Sequence, residues 1–341
     1  MTGPRVSIDP KLPLIDLHRH IDGSVRLATI LDLAKKHSVK LPGATLEELR
    51  PHVQVMERER QPGVMAFIAK MLWMTAVLGD ADACRRVARE NVEDAQSEGI
   101  DYIELRFSPW FMAEPHKLNL DAVVEAVAEG VSEAAAATGV RVNLIGILSR
   151  TYGVETAKKE LAALLTQRER IVALDLAGDE ANFPPRLFTE HFQRAHDAGW
   201  RVTVHAGESA GPESVWDAVR LLGADRIGHG VRAMGDPALV KFLVEKRIGV
   251  EVNLTSNVQT STVPDLATHP LHEMLDCGLL ASINTDDPGV SAIDLPYEYE
   301  VAAPAAGLSP KQIRQAQRNA LETAFVSAAD KTALLQQKEH A

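Results

Sequence analysis

An α/β fold, specifically a (β/α)8 barrel of the TIM type, is what this sequence predicts, and the first reason is rhythm. Eight short apolar runs alternate with segments of helical period along almost the whole chain, the βαβα pattern of a parallel sheet. Eight strand–helix units are the number that closes such a sheet into a barrel. A doubly wound open sheet is the competing architecture, but it carries a glycine-rich phosphate turn after its first strand, where this chain has Leu17-His18-Arg19-His20. With no short-period repeat, low-complexity tract or clear linker, residues 1–341 are expected to form one domain.

The strands are expected at 14–18, 102–108, 142–149, 171–178, 201–205, 226–229, 248–253 and 279–284, with helices such as 118–138 and 211–222 between them. The first connection, 21–101, is far longer than the others and holds helical stretches at 29–36, 64–77 and 82–98. Helices inserted there sit over the barrel mouth, as a lid, a pocket wall or an extra structural layer. Near the C-terminus, Ser309-Pro-Lys-Gln312 reads as a capping box with proline at the first helical position, opening a closing helix.

Composition narrows the partners. At 45% hydrophobic residues the chain can bury a large core, and 36 basic against 47 acidic residues leave a net charge of −11. That balance provides no footprint for a nucleic acid polymer or an anionic membrane, and the expected partner is a small molecule. Two cysteines, Cys84 and Cys277, argue against a disulfide framework and fit a reducing compartment, so the cytoplasm is the expectation. Met1 to Pro10 has no apolar signal-like core, and no run reaches membrane-spanning length.

The chemistry gathers at the strand ends. The run Arg201-Val-Thr-Val-His-Ala-Gly-Glu208 puts Val202 and Val204 on one face, then lets Gly207 turn the backbone so that Glu208 points back near His205. His18 and His20 follow strand one, and the period of two puts both imidazoles on the same face with Arg19 opposite, which is how two ligands reach one metal. In Ile227-Gly-His-Gly230 the flanking glycines leave His229 projecting, and Asn284-Thr-Asp286-Asp287-Pro follows strand eight with two adjacent carboxylates. Each motif alone has a bland reading, a solvated histidine or an Asp-Asp-Pro turn.

Together, His18, His20, His205, Glu208, His229, Asp286 and Asp287 all fall at the C-terminal ends of strands, where barrel enzymes build their sites. Three neutral imidazoles and one carboxylate suit zinc, and water bound there ionises near pH 7, at about 7 in favourable sites. His37, His52, His116, His191, His196, His269, His272 and His340 have no such partner and are assigned to surface or core. A rival motif, Gly207-Glu-Ser209-Ala-Gly211, matches the nucleophile elbow, but it leaves the histidines and Asp286 without roles.

The motifs Asp16-Leu-His18-Arg-His20-Ile-Asp22-Gly23, Leu176-Ala-Gly178-Asp-Glu180, His205-Ala-Gly-Glu208, Gly228-His229-Gly, Thr255-Ser-Asn257 and Asn284-Thr-Asp286-Asp287-Pro288 resemble, in this order, the bacterial-type adenosine deaminase family over nearly the whole chain. The resemblance implies a (β/α)8 barrel with one zinc at its mouth, a zinc-bound hydroxide attacking purine C6, and loss of ammonia from adenosine and 2′-deoxyadenosine in purine salvage. It makes His18, His20, His205 and Asp286 the metal ligands and Glu208 the proton donor to purine N1. His229 would orient and help deprotonate the zinc water. Gly178 would hold N3 through its N–H, Asp287 would hold N7, and Asp22, with His20 beside it, would contact the ribose hydroxyl. Asn253 stands where many relatives have cysteine and is expected to lie outside the chemistry. A general metal-dependent amide or ester hydrolase and a silent purine-binding module are the alternatives from other classes. Glu208 and Asp287 speak against both.

Overall fold

The structure, a computed structural model, describes residues 7–56 and 60–339, so that His340 lies outside the described residues. Eight parallel strands follow one another in chain order around a nearly closed barrel. They are β1 (Ile15–His20), β2 (Tyr102–Phe107), β3 (Arg141–Ser149), β4 (Ile171–Ala177), β5 (Arg201–Ala206), β6 (Arg226–His229), β7 (Gly249–Val252) and β8 (Leu280–Ile283). All eight expected strands are present, most with ends moved by one or two residues. The doubly wound alternative is excluded by the sequential strand order.

Two features of the sheet bear on the site. Past β8 the chain runs beside β1, where the Asp286 N–H donates to His18 O at 2.7 Å and the His20 N–H donates to Asp286 O at 2.8 Å. The seam of the barrel is therefore closed by backbone bonds of His18, His20 and Asp286. Between β4 and β5 the ladder has only two registered pairs, Ala173 with Arg201 and Leu174 with Val202. Above them the buried guanidinium of Arg150 bridges the gap, its Nη2 donating to Leu176 O at 2.5 Å and to His205 O at 2.6 Å.

The long first connection forms α1 (Leu27–His37), α2 (Leu46–Val53), α3 (Val64–Thr75) and α4 (Ala81–Glu98). Of the readings open for it, pocket wall is the one that α3 fulfils, because Val64, Met65, Phe67, Ile68, Met71 and Leu72 line the cavity at the barrel mouth. α4 packs instead along the helix Leu120–Thr138, as part of the outer layer. At the base, Ile15, Leu17 and Tyr102 pack with Ala320, Leu321 and Leu334 of the last two helices and with Ala324 between them, and the first of these helices opens with the expected Ser309–Gln312 capping box.

The lower barrel holds a buried ionic layer. Arg106 Nη1 donates to Asp175 Oδ2 and its Nη2 to Glu251 Oε2, both at 2.8 Å, while Arg226 Nε donates to Glu251 Oε1 at 2.6 Å and its Nη2 pairs with Glu104. Thr203 Oγ1 adds a 2.8 Å hydrogen bond to Glu251 Oε1. All six residues are at most 1% exposed. Ions without water persist only when paired and hydrogen bonded, as these are. Two guanidiniums against three carboxylates leave one negative charge directly beneath the histidines.

Candidate metal centre and pocket

The three imidazoles converge. His18 Nε2 lies 3.1 Å from His205 Nε2 and 3.3 Å from His20 Nε2, and the last two nitrogens are 3.2 Å apart. Asp286 Oδ1 stands 3.2 Å from His18 Nε2 and 3.3 Å from His20 Nε2. Among the described residues this is the group of histidines and acids placed to hold a metal, with all its ligand atoms within 4.8 Å of one another. Separations of this size match the corners of a tetrahedron whose centre lies about 2.0 Å from each donor, the length of a zinc–imidazole bond.

The far sides of the rings explain why the near sides need a cation. His18 Nδ1 donates to Glu251 Oε2 at 2.7 Å, and His205 Nδ1 lies 3.0 Å from Asp175 Oδ2. With those protons on Nδ1, the Nε2 lone pairs of His18 and His205 face each other with no hydrogen between them. Burial holds the His205 pKa down to about 4, so the ring is neutral and available as a ligand. Burial would raise Asp175 and Glu251, but His205 and Arg106 hold Asp175, and Arg106 and Arg226 hold Glu251, below the usual carboxylate range. The residues present therefore fit a divalent metal.

Local backbone geometry aims the remaining groups. His229 and Asp286 both have left-handed conformations, φ 62° and 67°, a strain that non-glycine residues bear where the surroundings fix them. Asp286 Oδ2 accepts from Ser256 Oγ at 2.6 Å, which leaves Oδ1 for the histidines. Gly207, at φ 73°, turns the chain after β5, and the loop it opens is held by Glu180. That carboxylate accepts from the N–H groups of Gly207, Glu208, Ser209 and Ala210 at 2.6, 3.1, 2.8 and 3.0 Å. Ser209 itself is exposed, and its Oγ turns to Glu180 at 3.4 Å, which accounts for the serine of the elbow-like motif.

Glu208 lines the pocket, and its Oε1 stands 3.6 Å from His229 Nδ1. Burial, reinforced by the charges of Asp286, Glu180 and Asp287, pushes its pKa well above the carboxylate range. His229 is shifted the other way by burial and is neutral. Asp22 Oδ1 and Asp287 Oδ1 make no hydrogen bond among the described residues, Asp22 Oδ1 standing 3.8 Å from His20 Nδ1, and burial raises the pKa of Asp22 and pushes that of Asp287 well above the carboxylate range. Asp22 spends its Oδ2 on the Ser108 N–H at 3.1 Å. Asp287 reaches its place because residue 23 is glycine: a Cβ there would fall 1.6 Å from Asp287 Oδ1. Gly178, at φ 108°, lines the same cavity of about 210 Å³, as do His20, His205, Glu208, His229, Asp286 and Asp287.

All the expected site residues thus meet at one mouth, with His18 buried beneath it. One expectation needs correcting. Asn253 is not outside the site, since its Nδ2 lies 3.3 Å from His229 Nδ1 because β7 ends directly beside the β6 turn. The sequence reading also missed Arg106, Asp175 and Glu251, although charged residues set into buried strands were a signal. Among the other histidines, His269 is fully buried against Asn257.

Over residues 13–340 the chain matches the family model described as adenosine deaminase. It is 58% identical over 327 residues to the adenosine deaminase of Photorhabdus laumondii and 59% identical over 329 residues to that of Klebsiella pneumoniae, in each case across 96% of this chain and 98% of the relative. Its fold is similar to the crystal structure of an adenine deaminase from Arthrobacter aurescens, with a TM-score of 0.89, 28% identity, and coverage of 96% of this chain and 98% of the other.

Proposed function

Since the chain belongs to the adenosine deaminase family, we propose that it hydrolyses adenosine and 2′-deoxyadenosine to inosine and 2′-deoxyinosine with release of ammonia. The observation that carries the reading is that the Glu208 and Asp287 carboxyls line one cavity together with His20, His205 and Asp286 of the four-residue cluster His18, His20, His205 and Asp286. We assign that cluster to one zinc ion, supported by its three nitrogens, one oxygen and their spacing. When bound, zinc supplies the Lewis acidity that lets water attack C6 at neutral pH.

The residues of the chain do the rest. As C6 becomes tetrahedral, charge moves onto N1, and Glu208, protonated through burial, gives N1 its proton. Asp287 is likewise raised, and a protonated carboxyl is what purine N7, an acceptor, requires. We assign the Gly178 N–H to N3, Asp22 Oδ1 to a ribose hydroxyl with His20 beside it, and His229 to orienting the attacking water. A role in purine salvage in the cytoplasm fits this substrate and the two free cysteines, Cys84 and Cys277.

Nucleoside is favoured over nucleotide because the cavity lining offers Asp22 to a ribose hydroxyl and, among the described residues, no lysine or arginine to a phosphate. Free adenine would leave Asp22 without its partner, and a site built to hydrogen-bond a group discriminates against an analogue lacking it. The test is kcat/KM for adenosine, 2′-deoxyadenosine, adenine and AMP with ammonia detection. Adenosine and its deoxy analogue should lead; an equal or higher value for adenine or AMP would overturn the substrate assignment.

A further inference from the structure

Asn257 stands between two buried histidines, and the chain of hydrogen bonds through it has a direction. It begins at a group whose role is not in question: the Leu271 N–H donates to His269 Nδ1 at 3.1 Å. His269 is fully buried, and burial holds its pKa down to about 3, so the ring is neutral and carries one proton. Because Nδ1 accepts, that proton is on Nε2, which donates to Asn257 Oδ1 at 3.1 Å. The amide is thereby oriented. Its Nδ2, a group that only donates, is turned to His229 Nδ1 at 2.9 Å.

His229 Nδ1 must then accept, which leaves Nε2 as the ring nitrogen that carries a proton. Asn253 Nδ2 also lies near His229 Nδ1, at 3.3 Å, but it cannot make this choice. Its Oδ1 has no partner, so turning its amide over sacrifices nothing at the other end. Only His269 breaks the symmetry.

We propose that His269 is a positioning residue: acting through Asn257, it holds His229 in the tautomer protonated on Nε2. The donor and acceptor roles are all set on the Nδ1 side of His229, away from the ligand cluster. Two consequences follow. His229 presents an N–H to the side of the ring facing Asp286, whose Oδ2 is 3.9 Å from Nε2. Its Nδ1, 3.6 Å from Glu208 Oε1, is occupied, so His229 has no proton there to pass to Glu208. The catalytic importance of the arrangement rests on the proposed role of His229; the tautomer itself does not.

The experiment is imidazole ¹⁵N NMR of the metal-loaded protein with labelled histidine, His229 being assigned by its loss in His229→Gln. The wild type should show His229 with an unprotonated Nδ1 and a protonated Nε2. Asn257→Asp, which puts a carboxylate oxygen against Nδ1, should move the proton to Nδ1. His269→Ala should give a mixture of tautomers, and His269→Gln, whose amide can donate to Asn257, should restore the single form. In His269→Ala, kcat should fall about 10–100-fold with metal content unchanged and KM within about twofold, the size of losing an orienting partner behind a site. A wild-type proton on Nδ1, or an unchanged single Nε2-protonated form in either Asn257→Asp or His269→Ala, overturns the proposal. If His269→Ala does not fold, Asn257→Asp and His269→Gln decide it. A wild type with the expected tautomer but no ammonia release from adenosine would sink the functional reading and leave the positioning role standing.

Discussion

His18 and Glu251 are joined by a 2.7 Å hydrogen bond from Nδ1 to Oε2, across 233 residues of sequence. The bond fixes which nitrogen of His18 carries its proton and leaves Nε2 free for a metal. Glu251 is in turn held by Arg106, Arg226 and Thr203, so the ring is oriented by the barrel's own ionic layer.

Glu251→Gln should therefore weaken metal binding by about 10–100-fold without removing a ligand. Titration against a competing chelator checks this. An affinity equal to that of the unaltered protein would mean that the partner behind His18 does not tune it.

Metal stoichiometry is the second expectation. Elemental analysis should find one equivalent of zinc per chain, chelation should abolish activity, and His205→Ala should lose both metal and turnover because it removes a ligand. Full activity after exhaustive chelation, or a requirement for two equivalents, contradicts the mononuclear assignment.

Glu208→Gln should keep its metal and lower turnover by on the order of 10²–10⁴-fold. The pH dependence has a defined sign. Burial raises the Glu208 pKa, so its active acid form is present at neutral pH and is lost as pH rises through that value. The kcat/KM profile should accordingly fall on the alkaline side, and Glu208→Gln should lack that limb; a limb that persists unchanged belongs to another group.

Gly23→Ala is a test of close approach. The new Cβ would overlap Asp287 Oδ1 and crowd its Cγ, at 2.5 Å, so the carboxyl must leave the cavity wall. We expect kcat/KM to drop by about 10–100-fold, the loss of one good hydrogen bond to substrate, with metal content retained. Unchanged kinetics would remove Asp287 from substrate binding.

Much of this protein is local enough to be written in its sequence. The period of two places His18 and His20 on one face, the apolar run before His205 makes it a strand end, and Ser309 with Gln312 announces a helix start, because each depends on residues within a few positions of one another. Repeating such units eight times implies a barrel, and a barrel puts every strand end at one rim. The insertion after β1 was legible as helices, but not the fact that α3 alone turns its apolar side into the pocket while α4 packs outside.

What the tertiary structure decided is pairing between distant residues. Nothing near Glu251 in the chain indicates that His18 is its partner, and nothing near Gly23 indicates that it makes room for Asp287. Asn253 and His269 had no local signature either, and the packing of β6, β7 and the helix Leu254–Gln259 brought both into the network of His229. The reason is physical: a local pattern fixes which way a side chain points, whereas the proton position and charge of a buried group depend on what folding places opposite it.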